Sequence, residues 1–222
     1  MKSYFVTACG TNVGKTLITC ALAHQLAGTQ ALKPVISGFD PQHPEISDTG
    51  QLIKAQKLAI TPETIESVSP WRFAASISPD AAATLEGRAI DFDRLVAFCN
   101  QKRQAQTLLI EGVGGVMAPL TQKYTVLDWT QALGLPVILV AGSYLGALNH
   151  TLLSARALLS AGLSLHAVVI SASDTDAEAL SRAQGTLRRF LPENTRFATV
   201  ARLDSRDDLW KYVPDLTHTL AL

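Results

Sequence analysis

With 222 residues, 47% of them hydrophobic and 17% charged, the chain can bury a substantial core, and its length predicts one compact unit over residues 1–222. Lys+Arg and Asp+Glu balance at 19 each, which argues against a nucleic-acid-binding surface or an anchor on an acidic membrane. Cys9, Cys20 and Cys99 are odd in number and have neither disulfide-framework nor zinc-ligand spacing, so reduced thiols and a cytoplasmic location are expected.

Short β-branched runs alternate with longer amphipathic segments. Tyr4 to Thr7 reads as a strand, Leu17 to Leu26 as a helix and Leu32 to Ile36 as a strand. Thr107 to Ile110, Val137 to Val140 and Ala167 to Ile170 read as further strands. Between the last two, Leu148, Leu152, Ala155 and Leu159 recur at helical spacing before Gly162, which completes a strand–helix–strand crossover. The alternation predicts an α/β fold, a mostly parallel sheet flanked by helices on both faces. Ser37 to Ser47 and Thr61 to Ser78 are the least regular stretches and are expected to be loops or lids over the carboxyl edge, where open α/β sheets bind ligands. No secretory apolar region precedes Tyr4-Phe5-Val6, and Leu135 to Val140 is too short to span a bilayer, so a soluble protein is expected.

Between the first strand and the first helix lies Thr7-Ala8-Cys9-Gly10-Thr11-Asn12-Val13-Gly14-Lys15-Thr16. Gly14 lets backbone curl around phosphates, Lys15 can reach β- and γ-phosphates, the Thr16 hydroxyl can hold Mg²⁺, and the following helix aims its N-terminus at an anion. Asn12, Val13, Gly14, Lys15, Thr16 and Leu17 are therefore candidate contacts for ATP, in a P-loop NTPase-like arrangement. The usual phosphate-loop pattern would have Gly where this chain has Cys9, and Gly10 is the substitute source of flexibility.

Glu111 closes the apolar run Thr107-Leu108-Leu109-Ile110 and precedes Gly112-Val113-Gly114-Gly115. That places an acid at the tip of a buried strand beside approachable backbone, where it could meet Mg²⁺. Asp48 reads equally as a metal ligand and as a first-turn helix acid. Lys33, inside the hydrophobic stretch Ala31 to Gly38, is costly unless its charge is used; the competing reading is an edge lysine reaching solvent.

Taken in order, Thr11-Asn12-Val13-Gly14-Lys15-Thr16, Lys33-Pro34-Val35-Ile36-Ser37-Gly38, Ser47-Asp48, Glu111-Gly112-Val113-Gly114-Gly115 and Leu145-Gly146-Ala147-Leu148-Asn149-His150-Thr151 resemble the successive motifs of the dethiobiotin synthetases. The resemblance implies that 7,8-diaminopelargonic acid, CO₂ and Mg·ATP give dethiobiotin, ADP and phosphate. It also implies roles. Lys15 and Lys33 would flank the transferring phosphoryl group and a carbamate, with Thr11 and Ser37 hydrogen-bonding their oxygens. Thr16, Asp48 and Glu111 would hold Mg²⁺, and Glu111, Gly112, Val113 and Gly114 would border the nucleotide. Gly146 and Asn149 would reach the substrate carboxylate of a neighbouring subunit, making the protein a homodimer. Ser171 stands where many members have an Asn that reads the nucleobase, which predicts weak selection among nucleoside triphosphates. Ala8 replaces the Gly that begins the family's longer phosphate loop, and Ser76 and Asp80 replace a Pro and a His. Two rivals share the loop class. An amidoligase would carry an added glutaminase domain with a nucleophilic Cys, for which this chain has no room. A partitioning or septum-placement switch would need a basic surface or a cationic amphipathic tail, which Leu216 to Leu222 lacks.

Overall fold

The β-branched runs become strands, and every pairing between them is parallel. The computed structural model describes residues 2–173, 177–203 and 207–222. In chain order its elements are β1 (Lys2–Ala8), α1 (Lys15–Gln25), β2 (Thr29–Leu32), β3 (Val35–Ser37), α2 (Asp48–Ala55), α3 (Pro62–Val68), β4 (Trp71–Phe73), α4 (Pro79–Leu85) and α5 (Phe92–Gln101). There follow β5 (Thr107–Glu111), α6 (Val126–Leu133), β6 (Val137–Ala141), α7 (Ala147–Ser160), β7 (Leu165–Ser171), α8 (Ala177–Arg188), β8 (Arg196–Val200) and α9 (Thr217–Leu220). Single 3₁₀ turns occupy Pro44–Ile46 and Leu209–Tyr212.

Six strands form one sheet in the order β2-β5-β1-β6-β7-β8, while β3 and β4 form a separate two-stranded ribbon. Parallel neighbours require crossovers, and the helices that make them cover both faces. Side chains divide accordingly. Along β6, Ile138 and Val140 join Ile18 and Leu22 of α1 in one core, whereas Val137, Leu139 and Ala141 pack with Ala155 and Leu158 of α7 in another. Phe5 enters a third cluster edge-on to Trp129, with ring centroids 4.9 Å apart. Each such fully buried large apolar side chain contributes about 1.5–3 kcal/mol. The chain leaves central β1 toward β2 on one side and later takes β6 on the other, so the loops after β1, β5, β6 and β7 gather at the carboxyl edge where the strand order reverses.

Two expectations need correction. Leu32 to Ile36 is not one strand: β2 ends at Leu32 and β3 starts at Val35 in a different sheet, because Pro34 has no N–H for a ladder and the Lys33 N–H donates to Val68 O at 3.1 Å. Thr61 to Ser78 is not an irregular loop; it contains α3 and β4, with α3 started by a reciprocal Thr61–Thr64 capping box. Ser37 to Ser47 is largely irregular as expected, broken by the turn at Pro44–Ile46.

Candidate active site

Helix N-termini separate structural from available ends. Side chains of Ser47, Thr61, Asp91 and Thr125 cap α2, α3, α5 and α6. In contrast, α1 and α7 begin on Gly14 and Gly146, left-handed at φ 90° and 93°, and neither has a side-chain cap. At α1 this leaves first-turn backbone N–H groups for a ligand or solvent, whereas at α7 the Ala147 N–H already turns back to Tyr144 O at 2.9 Å; both helices start at the carboxyl edge.

A cavity of about 810 Å³ opens at α1. It is lined by Thr11, Asn12, Gly14, Lys15, Thr16, Leu17, Lys33, Ser37, Asp48, Val113 and Gly114, which brings most of the sequence candidates together. Lys15 is buried, and its ammonium donates to Gly114 O at 3.1 Å. The second glycine run packs on the phosphate loop at Gly115, where a Cβ would lie 3.4 Å from Ala8 O and from Gly10, at the edge of ordinary contact. Behind the cavity wall, Glu111 ends β5 with no exposure. Its Oε1 accepts from the Thr16 hydroxyl at 2.7 Å and from the Lys33 ammonium at 2.6 Å, and Lys33 also meets Asp48 Oδ2 at 2.7 Å. The strand break at Lys33-Pro34 explains this geometry, because it turns a 3%-exposed lysine toward the ends of β5 and α2.

The charges set one another's protonation. Burial alone would strip the Lys33 proton, but Glu111 and Asp48 outweigh it and hold the ammonium above the ordinary lysine range. Burial would raise Asp48, yet Lys33 brings it below the usual carboxylate range. Lys15 goes the other way: burial, then the neighbouring Lys33, lowers it to about 8.

The residues fit a magnesium ion. Glu111 Oε2 is buried with no hydrogen-bond partner among the described residues, the Asp48 carboxylate is 44% exposed, and the Thr16 hydroxyl neighbours both acids. These are hard oxygen donors, and Mg²⁺ commonly takes one or two carboxylates with the rest of its shell from phosphates and water. Lys33 and such an ion would draw on the same carboxylates.

Other sequence candidates lie apart. Val13 is buried in the core, and a Cβ on Gly112 would meet the Phe5 ring at 3.1 Å, so both shape the site from behind. Ser171, at the end of β7, presses on the phosphate loop: its Oγ lies 2.7 Å from where a Gly14 Cβ would be. Gly146 and Asn149 line a separate cavity of about 490 Å³ between the α7 turn and α8. Sequence reasoning did not assign Ser76, Ile77, Ser78, Pro79, Gly115 and Ala118 to the main cavity. Ser78-Pro79 ahead of an alanine-rich run is a helix-start signal that could have placed four of them beside the edge. Ser76 packs against Gly38, whose φ of 78° and missing Cβ make that approach possible.

A parallel sheet with helices on both faces, and a glycine–lysine–threonine loop joining its central strand to an uncapped helix, define an α/β protein of the P-loop class. A family model described as AAA domain matches residues 2–211. The ATP-dependent dethiobiotin synthetase BioD of Methylobacterium nodulans is 45% identical over 203 residues, covering 83% of this chain and 90% of that protein. The namesake from Caulobacter vibrioides is 46% identical over 197 residues, covering 86% and 88%. The chain belongs to the family of ATP-dependent dethiobiotin synthetases. Among solved structures, a ParA family ATPase from Chlorobium tepidum is similar with a TM-score of 0.51 at 10% identity, covering 91% of this chain and 84% of that one. The MinD cell division protein of Aquifex aeolicus is similar with a TM-score of 0.50 at 10% identity, covering 96% and 86%. At that identity the likeness establishes the fold alone.

Proposed function

We propose that residues 1–222 act as one P-loop α/β unit that carboxylates 7,8-diaminopelargonic acid with CO₂ and closes a ureido ring at the expense of ATP. One substrate amine adds to CO₂ and loses a proton, giving a carbamate. A carbamate oxygen attacks the γ-phosphorus and displaces ADP, giving a carbamic–phosphoric anhydride. The second amine then attacks the carbamate carbon and expels phosphate as the ring closes. Lys15 and Lys33 neutralise charge on the phosphoryl group and carbamate as it builds, and Thr11 and Ser37 orient their oxygens. Thr16, Asp48 and Glu111 would hold Mg²⁺, which supplies Lewis-acid neutralisation of the phosphates when bound.

The observation that carries this reading is Lys33: a buried ammonium held at 2.6 and 2.7 Å by two carboxylates beside the phosphate loop, in a chain of this family. We further place the protein in the cytoplasm, on its free cysteines, and read it as a homodimer whose Gly146–Asn149 turn completes a neighbour's substrate site. Phosphate release from ATP, measured with and without the diamine and bicarbonate, tests the reaction. Release should require both, and release indifferent to the diamine would discard the ligase reading. Sedimentation of the active enzyme tests the dimer; a fully active monomer would rule it out.

A further inference from the structure

The two uncapped glycine starts are connected by side chains that the reaction leaves unused. Cys9 stands at the beginning of the phosphate loop, its N–H fixed to Val140 O at 3.0 Å. Its sulfur lies 4.0 Å from the Tyr144 hydroxyl, and that hydroxyl lies 2.9 Å from His150 Nδ1. The His150 ring in turn lies over Gly146, 3.9 Å from where a Cβ there would be. The path therefore runs from the phosphate loop through one phenol to the first turn of α7. Its middle is constrained. Gly142 lets the Tyr144 ring fold back, since a Cβ there would sit 2.7 Å from the ring, and Ser143 and Ser173 exchange backbone-to-hydroxyl hydrogen bonds at 3.2 and 2.9 Å. Burial, then Cys9, raises the Tyr144 phenol above its ordinary range, so it is a neutral hydroxyl near neutral pH. His150 is exposed and Tyr144 half-exposed, so a contribution to folding alone would be small.

We propose that Tyr144 is a positioning residue that links the phosphate loop to the α7 turn, so that nucleotide on the loop and the placement of Gly146–Asn149 depend on each other. The side chain at position 9 is what makes the link: glycine, which the phosphate-loop pattern has there, would leave Tyr144 with His150 alone. The kinetic part of the inference rests on the proposed handling of substrate by that turn; the structural part does not.

The test follows the His150 ring resonance in histidine-labelled protein, assigned with His150→Gln, while a non-hydrolysable ATP analogue with Mg²⁺ is added. His150 should shift in wild type and stay still in Tyr144→Phe and in Cys9→Ala, with no further change in the double variant. In steady-state assays Tyr144→Phe should raise the diamine KM roughly 2- to 10-fold, the effect of one lost hydrogen bond, and weaken nucleotide binding by a similar factor only when the diamine is present, with nucleotide affinity in the absence of diamine and the melting temperature nearly unchanged. An unresponsive His150 in wild type, or an equal response in Tyr144→Phe, overturns the link. A loss of diamine-free nucleotide affinity together with thermal stability would show a structural role and overturns it too. If wild type releases no diamine-dependent phosphate, the reaction reading fails while the histidine response still decides the link.

Discussion

At the β5–β1 side of the carboxyl edge, Lys33 lies within 2.7 Å of both Asp48 and Glu111, all drawn into one mostly buried charge cluster. At the β6–β7 side the same edge presents neutral hydroxyls: Ser143 and Ser173 bonded to each other's backbone, Tyr144 against His150, and Ser171 on Gly14. A buried charge cannot be removed quietly, because its partner is left uncompensated, whereas one neutral hydrogen bond is worth about 1 kcal/mol. The first side can stabilise charge that builds during phosphoryl transfer; the second can only place groups. Effects of substitution should therefore shrink from one side to the other.

Lys33→Ala should break the charged side most severely. Losing a preorganised cation lowers kcat by about 10²–10³. It also leaves Glu111 and Asp48 facing each other, so the ligand-free protein should lose about 2–3 kcal/mol, at the low end for a broken buried pair because Asp48 is partly exposed. Mg²⁺ should restore part of that stability in the variant and little in wild type. Denaturant titration with and without the metal, alongside phosphate release, checks both effects. Near-normal turnover would end the claim that the cluster is catalytic.

The pH dependence sharpens the contrast between the two lysines. Lys15 at about 8 is neutral in much of the free protein just above that pH, while Lys33 remains charged. Phosphates favour the charged form of Lys15, so nucleotide binding there takes up a proton, and affinity should fall as pH rises through 8, by at most about tenfold per unit. For folding the sign is opposite: between 8 and the ordinary value of 10.5 the unfolded chain holds a proton that the folded chain lacks, so ligand-free stability rises with pH across that window. Calorimetry of Mg·ADP binding at about pH 9 in buffers of different ionisation enthalpy reads the uptake directly. Its absence, or its persistence in Lys15→Met, would remove Lys15 as the titrating group.

Ser37 stands between the two regimes. Its hydroxyl is buried with no partner among the described residues, which is unfavourable for the fold and understandable if a ligand supplies the partner. Ser37→Ala should raise stability by about 1 kcal/mol and lower diamine-dependent turnover about tenfold. A variant that is both less stable and fully active would reverse this assignment.

What could be read from sequence follows the same division. Lys15, Thr16 and Glu111 were legible because short-range patterns place them: a glycine loop before a helix, and an acid ending an apolar run. Lys33 was legible as an anomaly but was misplaced inside a strand, since Leu32 and Val35-Ile36 look continuous until the Lys33–Val68 bond shows the chain leaving the sheet. Helices α3 and α6 carry capping boxes at Thr61–Thr64 and Thr125–Asp128 that local reading could have used. No local pattern could show Cys9 beside Tyr144, 135 residues apart, or Ser171 over Gly14. Those meetings come from β1, β6 and β7 lying side by side, a product of strand order rather than of any motif.

Ser171 gives the smallest expected effect and the finest test of the comparison. An amide at that place would offer paired donor and acceptor groups to a base edge, whereas Ser171 offers one short hydroxyl, and that hydroxyl already lies against the Gly14 turn. Its work is then packing on the phosphate loop, a contribution that every nucleoside triphosphate shares. Ratios of kcat/KM among ATP, CTP and GTP should stay below about 100-fold in wild type, and Ser171→Ala should change those ratios by less than about threefold. If the ratios are larger and survive Ser171→Ala, groups elsewhere on the edge read the base. If they collapse in Ser171→Ala, the hydroxyl itself discriminates, and the neutral side of the site would be doing more than placement.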